Sequence, residues 1–148
     1  MATYGKAITA AYIGIILLIA TVTIGAFTRA YGAGMGCGPD WPTCNGSLLP
    51  NTTFETLLEY FHRVAAGAGF VALVYASYAS IRIGDKPLKT LSSATIIALV
   101  AQIILGAIVV WYHLSPTLSA LHTTLAIITV ALAAGMVVRL HSVGKLNK

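Results

Sequence analysis

The sequence predicts an all-α integral membrane protein, a four-transmembrane-helix bundle made of two helical hairpins. Three observations carry that expectation. Of the 148 residues, 57% are hydrophobic and only 9% are charged, where a soluble domain carries about a quarter charged residues. Apolar runs of roughly twenty residues recur, each long enough to cross a hydrocarbon core of about 30 Å. The basic residues, finally, gather in alternate connections between those runs. The whole chain, 1–148, reads as a single four-helix transmembrane domain with no soluble part.

The first run, about Ala7–Phe27, follows Lys6 and so invites comparison with a signal peptide. Its apolar stretch exceeds the roughly 7–15 residues of a signal h-region, which favours a retained helix. The others are about Leu57–Ile81, Leu91–Tyr112 and Leu118–Val138. All are too long and too apolar for barrel strands, and backbone groups in lipid must be satisfied internally, so each is a helix. A long connection, about Arg29 to Phe54, closes the first hairpin, and the short "HLSPT" closes the second. Pro50 and the following Asn51-Thr-Thr form a polar approach to the second helix; "RIGDKPLKT" joins the hairpins. Ser92 and Ser115 are the expected caps near the starts of helices three and four.

Lys6, then Arg82, Lys86 and Lys89, then Arg139, Lys145 and Lys148 fall on one side; only Arg29 and Arg63 fall on the other. The positive-inside rule therefore makes both termini and the middle loop cytoplasmic and turns the Arg29–Phe54 loop outward. On this reading the net charge of +5 reflects topology. The partner it implies is a lipid bilayer, not a nucleic acid.

Two of the four histidines lie where they can work together. His62 in "EYFHR" and His122 in "LSALHTT" each fall in the first turns of a helix descending from the outer face. Two imidazoles at similar depth on helices of the same direction suit axial ligation of a haem iron between them. A bland alternative is a histidine that bonds a neighbouring carbonyl, although intramembrane ionisable residues are functional candidates by default. His113 at the outer rim and His141 at the cytoplasmic end are explained by interfacial placement.

Around that pair stand further candidates. Glu59 precedes His62 by three residues and shares its helix face. It is either a solvated carboxylate favouring the helix N-terminus or a carboxylate beside a catalytic centre. Arg29 and Arg63 are either membrane-edge anchors or partners for haem propionates, which the planar guanidinium suits. Cys37 and Cys44 enclose "GPDWPT" in the outer loop, where the redox environment permits a disulfide. That bridge is structural or redox-active; zinc is disfavoured, since two thiolates lack two further ligands. Trp41 reads as an interfacial ring. A faint internal echo, "IGAFTR" against "LGAIVV", precedes each histidine-bearing helix and suggests a duplicated hairpin.

Taken together, "GAGMGCGPDWPTCNG" after Gly25-x-x-x-Arg29, "EYFHR", and "AQIILGAIVV…LSALHTTLA" resemble the haem A synthase family over nearly the whole chain. The resemblance implies oxidation of a ring methyl of haem O to the formyl group of haem A. It implies haem-binding histidines at His62 and His122, a functional carboxylate at Glu59 and an outer disulfide between Cys37 and Cys44. The cofactor it implies is haem, as haem b or as haem O and haem A in substrate and product. Haem O and the synthase that supplies it become the expected partners. Family members typically have eight helices in two four-helix halves, each with a histidine pair. Here one half is present, and its Glu59 and cysteines resemble the half associated with catalysis. Two copies then associate, a dimer being preferred, or one site serves both substrate and electron transfer. The competing functions are a b-type cytochrome and a membrane thiol-disulfide oxidoreductase.

Overall fold

A computed structural model describes residues 2–50 and 52–146. Lys148, counted above among the basic residues, and Asn51 lie outside the described residues. Four helices follow one another: α1 (Ala2–Ala30), α2 (Phe54–Ile81), α3 (Lys86–Trp111) and α4 (Pro116–Leu146). Each is long and apolar enough to cross a membrane. The chain is a multi-pass membrane protein. Among the described residues the only extended pairing is a single bridge between Cys44 and Ser47.

The helices are longer than the apolar runs because polar caps extend them into the interfaces. Helix α2 starts three residues before Leu57, where the Thr53 side chain accepts the Thr56 N–H. Such a cap satisfies one of the donors a helix start leaves bare. Helix α3 starts five residues before Leu91. Asp85 is its N-cap, accepting the Leu88 N–H, and Pro87 sits in the first turn, where its missing N–H is no loss. Most of "RIGDKPLKT" is therefore helical, and Ser92 is not a cap but a buried residue one to two turns inside α3. Ser115 directly precedes α4, and its carbonyl accepts the Ser119 N–H.

The antiparallel helices form a ring in which each packs on its chain neighbours, α1 also packs on α4, and α2 touches α4 only slightly across the diagonal. The α1–α2 and α3–α4 connections lie at one end, the loop end; residues 82–85, the start of α1 and the end of α4 mark the linker end. The apolar core belongs to the linker half. Ala7, Ala11 and Leu18 of α1 meet Leu73 and Ala76 of α2, Leu88 and Leu99 of α3, and Ala133, Met136 and Leu140 of α4. The small residues let the backbones approach closely, as helix association in lipid requires. Large apolar side chains such as Ile16, Val71, Ile97 and Val138 face outward, the arrangement that lipid as solvent favours.

A second clamp closes the linker end. Arg139 of α4 donates from Nε and Nη2 to the two carboxylate oxygens of Asp85, at 2.9 and 2.7 Å. That hydrogen-bonded pair, with the Leu88 N–H, holds the Asp85 carboxyl below its ordinary pKa. The loop half has fewer buried apolar side chains and more polar contacts. The candidate site is there.

Candidate functional site

His62 and His122 both sit near the loop end, on helices α2 and α4 that run in the same direction. At 1.5 Å per residue they lie about 12 Å and about 9 Å below the starts of their helices. Each imidazole is half-buried. Both histidines thus lie at similar depth on helices of the same direction.

Each ring rests on a glycine of the preceding helix. A Cβ at Gly25 would stand 2.8 Å from His62 Cε1, and a Cβ at Gly106 would stand 3.1 Å from His122 Cε1. Any side chain at these positions would push the ring away, so glycine is what lets imidazole and helix backbone meet. These glycines are the ones in "IGAFTR" and "LGAIVV". The echo therefore has a structural meaning: both hairpins seat a histidine against a glycine of the preceding helix.

One turn before each glycine stands the group that orients the ring. In hairpin one it is the Thr21 carbonyl, 2.9 Å from His62 Nδ1. A carbonyl only accepts, so Nδ1 carries the proton and the Nε2 lone pair is left for a metal. In hairpin two the equivalent position is Gln102, whose Nε2 lies 3.1 Å from the His122 carbonyl and 3.3 Å from His122 Nε2. Gln102 Oε1 and His122 Nδ1 are buried without a hydrogen-bond partner. Sequence reasoning passed over both orienting positions. Thr21 acts through its backbone and left no signal, but Gln102 did: it is the only glutamine of the chain, in the middle of an apolar helix.

Above His62 the connection between α1 and α2 is fastened to α2. Glu59 is buried at 3% exposure. Its Oε2 accepts the Cys37 N–H at 2.8 Å, and its Oε1 accepts from Arg63 Nη2 at 2.5 Å. Arg63 Nη1 donates to the Asp40 and Thr43 carbonyls at 2.8 and 2.7 Å. The Thr56 hydroxyl and the Asn45 amide both donate to the Gly36 carbonyl. Glu59 and Arg63, expected beside a redox centre and at haem propionates, thus have both carboxylate oxygens and both terminal guanidinium nitrogens engaged with the loop or each other. Arg29 is exposed in the last turn of α1, where its charge complements the helix dipole, and it is not drawn into this cluster.

Cys37 and Cys44 are joined by a disulfide with Cα atoms 4.3 Å apart. Both are buried, at 0% and 2% exposure, so a partner dithiol has no approach to the sulfurs in this conformation. The loop also reaches hairpin two. Trp41 packs edge-on against Trp111 with ring centroids 6.4 Å apart, and Gly34 lies against the Leu114 side chain. It therefore spans the loop end of the bundle. His113 is exposed in the α3–α4 turn with a positive φ of 49°, apart from the pair. His141, near the linker end, is bonded to the Tyr12 hydroxyl.

Among the described residues no group of three or more His, Cys, Asp or Glu side chains comes together to hold a metal ion. Two imidazoles on helices of the same direction suit instead a haem, whose macrocycle would supply the other ligands. The unclaimed Nε2 of His62 fits that group, and at His122 the nitrogen that would bind it is Nε2, which faces the Gln102 amide nitrogen at 3.3 Å. The buried, unpartnered atoms mark a place where this chain alone does not complete its hydrogen bonding.

Residues 9–59, covering most of α1, the outer loop and the first turns of α2, match the family model described as cytochrome oxidase assembly protein, COX15-CtaA. The chain is 36% identical over 124 residues to the heme A synthase of Bacillus licheniformis, a match covering 80% of this chain and 41% of that protein. It is 32% identical over 117 residues to that of Bacillus mycoides, covering 77% and 38% respectively. By sequence this chain belongs to the haem A synthase family. It spans about two fifths of the length of the curated relatives it matches. No solved structure matches it.

Proposed function

We propose that this family member binds haem between His62 and His122 and takes part in oxidising a ring methyl of haem O to the formyl group of haem A. The observation that carries the reading is the matched imidazole pair, each ring on its glycine, beneath a loop that spans the bundle mouth. The bound haem would supply electron transfer or the reacting methyl group. The chain's own residues supply the remainder: His62 and His122 hold the iron, the Thr21 carbonyl and Gln102 orient the rings, and the clamped loop limits the entry of water from the loop end. Glu59 lies one turn from His62 and braces the loop. Any part it takes in proton transfer requires it to leave Arg63 or the Cys37 N–H.

The distribution of Lys6, Arg82, Lys86, Lys89 and Lys145 at the linker end supports cytoplasmic termini and an outward loop. An oxidising outer compartment agrees with the Cys37–Cys44 bridge as a structural pin. We propose that a second copy associates with the first, a dimer being the simplest way to bring two haem sites together.

The test is co-expression with a source of haem O, followed by chromatography of the extracted haems. Haem A or its hydroxylated precursor is the expected product. A well-folded, haem-loaded protein that yields neither would overturn the synthase reading. That result would favour a b-type cytochrome, which gains support from the full engagement of Glu59: no free acid stands beside the imidazole pair.

A further inference from the structure

The two histidines are held by different groups, and the difference decides which of their nitrogens a metal can use. The Thr21 carbonyl takes the His62 Nδ1 proton and leaves the Nε2 lone pair unclaimed. Hairpin two places a donor where hairpin one places an acceptor. The orientation of the Gln102 amide is settled by the His122 carbonyl 3.1 Å from its nitrogen. Turning the amide over would set its oxygen against that carbonyl, two acceptors face to face. The NH2 group therefore donates one hydrogen to the His122 carbonyl and directs the other at His122 Nε2, 3.3 Å away. The imidazole proton then resides on Nδ1, which is buried with no acceptor. The nitrogen that would bind iron is capped by an amide, and the other is left unsatisfied.

We propose that Gln102 is a positioning residue that competes with iron for His122 Nε2, so that the two axial ligands are unequal: His62 is the resident ligand and His122 the exchangeable one. This rests on the haem-binding reading above. A metal reaches His62 Nε2 without breaking a protein contact. At His122 the Gln102 N–H must first leave, and it remains one turn from Gly106, ready to reclaim the nitrogen whenever the bond to iron lengthens. The buried Gln102 Oε1 and His122 Nδ1 are two further polar atoms awaiting a partner, which makes the resting arrangement of hairpin two the less satisfied of the two. An exchangeable ligand opens one face of the haem to a small molecule while the other face stays held.

The experiment uses the intact chain loaded with haem b, reduced and titrated with carbon monoxide. The unaltered protein is expected to show a low-spin spectrum without the gas and a six-coordinate adduct with it. Its resonance Raman signature should match that of the His122→Ala adduct and differ from that of His62→Ala. Replacing Gln102 with the near-isosteric Met removes the competing donor. One neutral hydrogen bond's worth of competition predicts carbon monoxide affinity about three- to tenfold weaker in Gln102→Met. In a His122→Ala background the same replacement should change nothing. An adduct matching His62→Ala would overturn the assignment from the unaltered protein alone, even were Gln102→Met to fold poorly. Unchanged affinity in a folded, low-spin Gln102→Met protein would overturn the role of Gln102 and leave haem binding intact. Failure of the unaltered protein to bind haem b at all would overturn both.

Discussion

In hairpin one, residues 31–53 form a disulfide-pinned loop held by a buried carboxylate and an arginine. In hairpin two, residues 112–115 form a bare turn. Beneath these unlike connections the two hairpins share one plan: orienting position, glycine one turn later, and a histidine on the returning helix (Thr21, Gly25 and His62; Gln102, Gly106 and His122). Even the residue three before each histidine keeps its task. Glu59 accepts the Cys37 N–H, and the Ser119 hydroxyl donates to the Leu114 carbonyl, each tying a helix start to its outer connection. The difference is one of strength and charge. The lesson is that the histidine seat is the conserved geometry within this chain, while hairpin one alone carries the covering apparatus, and the family match at residues 9–59 falls on it.

The sharpest way to break the comparison is to remove each histidine. His62→Ala is expected to lose bound haem by more than about tenfold, since on the proposal above it removes the resident ligand. His122→Ala should retain haem in a five-coordinate, high-spin form. A pyridine haemochrome assay and the optical spectrum of the purified proteins check this, and equal losses would make the hairpins equivalent after all.

Next in size are the outer clamps. Arg63→Ala strands the Glu59 carboxylate in a buried setting, a change that costs about 3–5 kcal/mol when the pair is fully buried. Ser119→Ala removes one neutral hydrogen bond, worth about 0.5–1.5 kcal/mol. Thermal unfolding in detergent should rank them in that order, and limited proteolysis should open residues 37–44 only in Arg63→Ala. A smaller contrast is expected between the seats. Gly25→Ala forces the closer approach to the His62 ring, and overpacking of this kind costs about 1–3 kcal/mol; Gly106→Ala, with more room, should sit at or below the lower bound.

The smallest effect concerns the linker end, where neither hairpin dominates. Because Arg139 lowers the Asp85 pKa, the pair contributes stability above the usual aspartate range and loses it as pH falls through the depressed value. Asp85→Asn keeps an N-cap but loses the charge. Its melting temperature should fall slightly at neutral pH and converge with the parent protein in strong acid. A gap that widened on acidification would show the pair to be unimportant.

Much of this was legible in one dimension. Lipid demands long apolar runs with satisfied backbones, so the four helices and the hairpin order follow from periodicity-free hydrophobic length alone. The positions of His62 and His122 on helices of the same direction follow from counting those runs. The helix starts were less legible, because caps such as Asp85 and Thr53 act at the polar margins that hydrophobic length ignores. Ser92 shows the opposite error: a residue type that favours caps lies buried inside α3. Glu59 and Arg63 were visible as rare charges near an apolar zone, yet beyond their mutual i,i+4 pair their partners are backbone groups of a loop about twenty residues away. No residue-type pattern announces such partners.

What the sequence by itself determined, then, is the set of membrane-crossing elements, their alternation, the bridgeable cysteines and the pair of imidazoles at matched depth. Composition and spacing suffice for these because the bilayer imposes the geometry. What only the tertiary structure decided is who holds whom. Backbone carbonyls at Thr21, Asp40 and Thr43, the faces of Gly25 and Gly106, and the direction of the Gln102 amide acquire their roles only once helices pack. Contacts made through main-chain atoms, or through the absence of a side chain, depend on approach in space and are encoded in no single residue.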